Sequence, residues 1–366
     1  RMRGVLCLED GFSVQGVLLN YSQETLGEVV FCTGMTGYEE ALTDPSYAGQ
    51  ILVFTFPMTG NYGLPQGSGQ SPHITVRGMV AQDIWTGPIE DGATPLISGL
   101  AASGRPALTG LDTRELVLRL RDHGCLRGVI ARVPEGGLSP ANLEQLRRRA
   151  AAFDMKGITA EVARKEVTVE GDARSPKGTC VLVDFGVKTG IVSELLATGY
   201  RVVSVPPKTP AQRILDWRPS CVLLSNGPGD PRDNPEAIKT TAALFGKVPV
   251  YGICLGHQII ARAAGAQITK LKYGHHGANH PVKDLATGRA FVTSQNHNFA
   301  VDSIGLPQGL TVTHRNLNDG SIEGLELRDP ASGRFLAASV QFHPEGAAGP
   351  GYHQFWARLE GGVIHA

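Results

Sequence analysis

The stretch VPVYGICLGHQ, residues 248–258, runs from apolar residues through a glycine-bracketed cysteine into the start of an apolar, helix-like segment. A strand that turns at once into a helix is the repeating unit of an α/β sheet. Neighbouring stretches repeat the pattern: TCVLVDFG (179–186), YRVVSVP (200–206) and SCVLLSNGPGD (220–230) are apolar runs, and KTGIVSELLATG (188–199) and PEAIKTTAALFG (235–246) are spaced as helices. This alternation predicts a largely parallel sheet with helices on its faces. Further strands are expected at 289–294, 310–316, 322–329 and 334–342.

Outward from that core the register changes. The chain up to about residue 134 consists of short β runs broken by glycine turns, among them GVLCLEDG (4–11), FSVQGVLL (12–19), GEVVFCTG (27–34) and QILVFTFP (50–57). One helix is expected there, at LDTRELVLRLRDHG (111–124), where apolar residues recur every three or four positions between an aspartate and a glycine. A second falls at ANLEQLRRRAAA (141–152). The expected organisation is a smaller strand-rich N-terminal domain over 1–150, a polar connector over 151–178, and an α/β domain over 179–366. The only low-complexity stretch is QGSGQS at 66–71, and there is no internal repeat.

Thirty-four basic residues balance thirty-four acidic ones, so no overall field points to nucleic acid or to a membrane surface. Apolar runs fall far short of the roughly 20 residues of a membrane span. The start, RMRGVLCLEDG, lacks the apolar core and small-residue cleavage site of a signal peptide, and the expected setting is cytoplasmic. The six cysteines form no CxxC pair, which fits reduced thiols rather than a disulfide framework or structural zinc.

In open α/β sheets, ligands collect at the carboxyl ends of the strands. Three such ends carry unusual residues. Gly252-Ile253-Cys254-Leu255-Gly256 is the thiol counterpart of a G-x-S-x-G nucleophile elbow. At a helix N-terminus Cys254 is favoured as thiolate, and the Leu255 amide is placed as an oxyanion donor. The turn at 223–231 exposes the amides of Gly227 and Gly229, suited to a second oxyanion donor or to a substrate's polar groups. The third end, VQFHPEG (340–346), supplies His343 to move the proton and Glu345 to orient the imidazole. His257, three residues past Cys254, is expected to pack the helix. The YGHHGANHP stretch (273–281) holds His275, His276 and His280, but its glycines disfavour a helical ligand pair; no metal is expected, and the stretch reads as a loop near the site.

SNGPGDP (225–231), GICLGHQ (252–258) and HPE (343–345), in that order, resemble the class I (triad) glutamine amidotransferases. GEVVFCTGMTGYEEALTDPSYAGQIL (27–52), GLDTRELVLRLRDHG (110–124), YGHHGANHPV (273–282) and TSQNHNFAVD (293–302) look like the small subunits of carbamoyl-phosphate synthase, so the resemblance covers nearly the whole chain. It implies a parallel-sheet amidotransferase domain and an N-terminal domain that mostly contacts a large subunit. It makes Cys254 the nucleophile, His343 the acid/base and Glu345 its orienter. Contacts to L-glutamine would come from Ser46, Gly227, Gly229, Leu255, Gln258, Asn296, Asn298 and Phe299. No cofactor is expected in this chain, which lacks a G-x-x-x-x-G-K-[ST] loop; ATP and Mg are expected on the large subunit. Two departures stand out: Asn298 occupies a position where the family usually has glycine, and 66–105 is shorter and less acidic than usual. The rival readings are an amidotransferase serving another synthase and a non-catalytic subunit of the same fold.

Overall fold

The computed structural model describes residues 2–346 and 351–359. The chain folds as two compact units, Arg1–Met155 with Lys272–Gly277, and Lys156–Leu271 with Ala278–Ala366.

In the first unit seven strands close into a barrel in the order Arg3–Leu8, Ser13–Leu19, Ala107–Thr109, Gly78–Val80, Gln50–Phe54, Thr25–Cys32 and Leu126–Arg132. Closure leaves no free sheet edge in the barrel. Helix Thr113–His123 begins where the Asp112 carboxylate accepts the Glu115 amide and stops at Gly124, whose φ is 96°. Its buried Leu116 and Leu120 share a core with Leu6, Leu8 and Ile130 of the barrel. Helix Pro140–Ala151 starts from a capping box between Ser139 and Asn142.

The second unit is built on a ten-stranded sheet. Five strands, Arg201–Val205, Thr179–Val183, Cys221–Leu224, Val250–Ile253 and Phe335–Val340, lie parallel and side by side. Successive residues of each point to opposite faces. Val181, Val183, Val222 and Leu224 therefore enter one core with Ile214, Leu244 and Ile259, while Cys180, Leu182, Cys221 and Leu223 enter another with Ile191, Leu195 and Phe355. Both faces are buried under helices, which is why these strands read as unbroken apolar runs.

The parallel arrangement covers half the sheet. Ile322–Arg328 and Leu310–Asn316 extend it antiparallel, because the connections at 317–321 and 329–334 are too short for a crossover. Residues 273–281, expected as a loop, lie inside the long strand Ile268–Asp284. Gly274 and Gly277, which disfavour a helical ligand pair, take φ of 71° and 136° inside this strand without ending it. The stretch 151–178, expected as a connector, contributes the edge strand Thr168–Glu170, antiparallel to Arg201–Val205. Its Ile158 is buried, and Arg164 pairs with Asp184 at 3.1 Å.

Two of the buried histidines of this unit are held strongly towards the neutral form. Burial drives His257 down to about 3, and burial with the nearby Arg358 charge drives His314 down to about 4. The unfolded chain takes up protons near the ordinary histidine value, whereas the fold cannot. Stability is therefore full above that value and falls as pH drops towards the folded values. The urea midpoint is expected to fall between about pH 7 and about pH 5.5, less steeply in His257→Gln; equal slopes in wild type and variant would refute this.

Candidate active site

Cys254 stands between strand Val250–Ile253 and helix Leu255–Ala263 with φ 54° and ψ −104°, a backbone that L-residues rarely adopt. The flanking glycines make that turn possible. A Cβ on Gly256 would lie 2.1 Å from the Leu224 carbonyl oxygen, and one on Gly252 would lie 2.6 Å from the Gly256 carbonyl carbon. Backbone faces backbone at both contacts, so no side-chain rotation could relieve them. The Cys254 amide donates to Val340 O at 2.9 Å and the Gly256 amide to Ser225 O at 3.0 Å, fixing the turn against both neighbouring strands. The sulfur is buried and lies 3.5 Å from Asn296 O. Leu255 occupies the first helical position, where an amide has no partner within the helix.

Strand Phe335–Val340 runs parallel beside Val250–Ile253, with Ile253 opposite Val340. The chain beyond it therefore emerges at the same edge as Cys254. There His343 donates from Nδ1 to Glu345 Oε1 at 2.7 Å, and its amide donates to Ser294 O at 2.9 Å. His343 Nε2 is buried with no hydrogen-bond partner among the described residues. A histidine held by a carboxylate on one nitrogen and bare on the other is arranged to take and return a proton.

Glu345 is held from a second side. Lys188 Nζ lies 2.9 Å from the same Oε1, and both side chains are almost wholly buried. Burial alone pushes the Glu345 carboxyl up; the charges of Lys188 and then His343, with their hydrogen bonds, outweigh it and hold the group well below the usual carboxylate range. Lys188 is fixed in turn, since its amide donates to Asn226 Oδ1 at 3.1 Å, and Asn226 Nδ2 donates to Gly186 O at 3.0 Å.

Of the expected glutamine contacts, all but Ser46 lie in the second unit. Gly227 packs so tightly that a Cβ would meet Phe185 O at 2.5 Å, and Gly229 has φ 89°. Gln258, on the first turn after Cys254, donates from Nε2 to Phe299 O at 2.8 Å and to Gln341 Oε1 at 3.0 Å. Asn296, Asn298 and Phe299 share strand Ala290–Val301. Asn298 is not among the described non-glycine residues with positive φ, which are Asn20, Arg218 and Cys254, so its side chain imposes no backbone strain. His257 is fully buried with Nδ1 2.9 Å from Ser339 Oγ, a packing role. Ser46 lies in the first unit on the turn Pro45–Tyr47, its amide donating to Asp44 Oδ1 at 2.9 Å.

Comparison with known proteins gives this geometry its family. The glutamine amidotransferase class-I model matches residues 181–359, and the model of the carbamoyl-phosphate synthase small chain, CPSase domain, matches residues 6–130. A carbamoyl phosphate synthase small chain from Symbiobacterium thermophilum is 46% identical over 347 residues, 94% of this chain and 93% of that one. The chain belongs to the carbamoyl phosphate synthase small chain family. Small chains from Bacillus cereus and Archaeoglobus fulgidus are 43% and 42% identical, covering 95% and 96% of this chain and 92% and 95% of their own. A solved glutamine amidotransferase from Thermotoga maritima aligns with TM-score 0.36 and 19% identity over 49% of this chain and 80% of that one, too slight a likeness to add to the assignment.

This small-chain site also contains residues that the sequence reading passed over. Lys188 and Asn226 lie at strand ends, and Lys188 follows Thr179–Val183, whose carboxyl end obeys the same ligand rule as the other three. A lysine opening the helix-like run KTGIVSELLATG was the available signal.

Removing Lys188 leaves Glu345 buried without its lysine. Lys188→Met is expected to cost about 3–5 kcal/mol in urea unfolding near neutral pH, and Lys188→Met with Glu345→Gln much less than the sum of the single changes. Strict additivity would show that the pair is not coupled. Because the Glu345 carboxyl is depressed, its contribution is present above the unfolded carboxylate value and lost as pH falls through the folded one.

Proposed function

We propose that this chain is the glutaminase of a carbamoyl-phosphate synthase, hydrolysing L-glutamine to glutamate and ammonia through a cysteine thioester. The supporting observation is that three groups stand at the ends of neighbouring parallel strands: Cys254 on a positive-φ turn, His343 with its bare Nε2, and Glu345 bonded to the other ring nitrogen. The Cys254 sulfur, its proton passed to His343, attacks the carboxamide carbon of glutamine. The carbonyl oxygen takes the negative charge near the Leu255 amide, with the Gly227-Pro228-Gly229 turn as the second source of donors. The C–N bond then breaks, and the nitrogen leaves as ammonia with the proton from His343. Water attacks the γ-glutamyl thioester while His343 takes its proton; glutamate departs and the thiol is restored. The α-amino and α-carboxylate groups of glutamine are assigned to Gly229, Gln258, Asn296, Asn298 and Phe299, in keeping with the need to hold the carboxamide over the sulfur.

Ammonia released into water would be diluted, and the sequence has no Walker-type loop with which to use ATP. The synthetase chemistry, with ATP and Mg, is therefore assigned to a large-subunit partner that receives the ammonia and combines it with bicarbonate. Carbamoyl phosphate would feed arginine and pyrimidine synthesis. A cytoplasmic setting fits six cysteines that are all free thiols, and no helix among the described residues is long and apolar enough to cross a membrane.

Ammonia release and carbamoyl phosphate formation should be followed with the chain and a carbamoyl-phosphate synthase large subunit. Cys254→Ala is expected to lower glutamine-dependent synthesis by at least about 10³-fold while synthesis from added ammonia continues. Glutamine-dependent synthesis that survives the substitution would contradict the proposal.

A further inference from the structure

The segment 351–359 returns to the catalytic turn and grips it on both sides of His343. The Tyr352 amide donates to Pro344 O at 2.8 Å, and Trp356 Nε1 donates to the same oxygen at 3.4 Å. Pro344 is the residue between His343 and Glu345. On the other side, the Tyr352 ring meets Phe342, the residue before His343, edge to face at 5.4 Å. A single side chain thus touches the turn ahead of the acid/base residue while its own backbone holds the carbonyl behind it.

Tyr352 is itself firmly seated. Its ring stacks on Phe291 at 4.4 Å with 7° between planes and meets His314 edge to face at 5.7 Å. Its hydroxyl lies 3.2 Å from His314 Nε2, and Thr313 Oγ1 lies 2.9 Å from His314 Nδ1, so both nitrogens of that buried ring are partnered. The far end of the segment is anchored to the sheet core: the Tyr251 hydroxyl donates to Arg358 O at 3.2 Å, and the Tyr200 hydroxyl donates to Leu359 O. Phe355 and Trp356 are buried between these anchors. The charged and titratable groups around Tyr352 are His314, Asp284 and Arg358, and none of them belongs to the catalytic set.

We propose that Tyr352, with Trp356 as a second donor, is the positioning residue of the His343–Glu345 turn: it sets where His343 Nε2 stands relative to the Cys254 sulfur. The proposal deepens the glutaminase reading and rests on it for its catalytic meaning. Its physical basis is geometric. A general base must be held within hydrogen-bond reach of the proton it takes, and a loosened turn lets the ring wander while the fold survives. The aromatic ring, which fills the box, carries this role more than the hydroxyl does.

The test uses the full chain and two readouts. The first is alkylation of Cys254 by iodoacetamide across pH, followed by mass spectrometry of the peptide that contains it; it needs neither glutamine nor a partner. Tyr352→Ala is expected to slow alkylation near neutral pH about tenfold, Tyr352→Phe less than about twofold, and Trp356→Phe about threefold, because a thiol parted from its base is less ionised. The second is glutamine hydrolysis with the large subunit, where the same order should appear in kcat with KM kept within about twofold. Should Tyr352→Ala not fold, Trp356→Phe carries the test, since it removes one donor and keeps most of the ring volume. Wild-type alkylation profiles in Trp356→Phe and in every folded Tyr352 variant would overturn the proposal. Shifted alkylation profiles in these variants, beside a wild-type chain that never releases ammonia from glutamine, would uphold the positioning role and sink the glutaminase reading instead.

Discussion

A backbone constraint governs this molecule: the Gly256 α-carbon is pressed against the Leu224 carbonyl, leaving no room for even one methyl group. That approach lets helix Leu255–Ala263 start immediately after strand Val250–Ile253, and it leaves Cys254 as the residue that must absorb the turn at φ 54°. A non-glycine residue held there costs on the order of 1–3 kcal/mol, which the surrounding sheet must offset. The sheet does so through strand pairing on both sides and a doubly covered apolar core. What the strain secures is position: a sulfur raised at the sheet edge, next to the strand that delivers His343.

Electrostatics completes what the backbone begins. Lys188, Glu345 and His343 form a buried chain in which one carboxylate oxygen serves both cationic or donor partners, at 2.9 and 2.7 Å. A carboxylate in that environment would otherwise tend to take up a proton. The lysine keeps it ionised, able to accept from Nδ1 and hold the imidazole in one orientation. The two ends of the site come from far apart in sequence, and the parallel sheet makes them neighbours.

Cys254, His343 and Glu345, the three residues proposed as catalytic, were legible because each combines an unusual residue type with a strand end: cysteine between glycines, and histidine and glutamate around a proline. The helix at 113–123 was legible from its apolar spacing between an aspartate and a glycine, and the barrel strands from short β runs broken by glycine turns. Other features were hidden for definite reasons. Lys188 looks in sequence like any polar residue opening a helix, and only the fold reveals that its amine turns inward to Glu345. The stretch 273–281 reads as a loop because a sequence alone does not show the neighbouring strands that keep its glycines in an extended backbone. The polar stretch 151–178 conceals an edge strand because edges need little apolar surface. Tyr352 and Trp356 gave no signal, since their partners lie at residues 291, 314 and 344.

Glutaminase chemistry at this site requires a covalent bond between the Cys254 sulfur and substrate, and that bond can be caught. The chain, with its large subunit, would be mixed with isotopically labelled glutamine, quenched in acid during turnover, digested, and analysed by mass spectrometry. A γ-glutamyl group is expected on the peptide containing Cys254 and absent from Cys254→Ala. Label found on no cysteine while ammonia is being released, or on any of the other five, would contradict it.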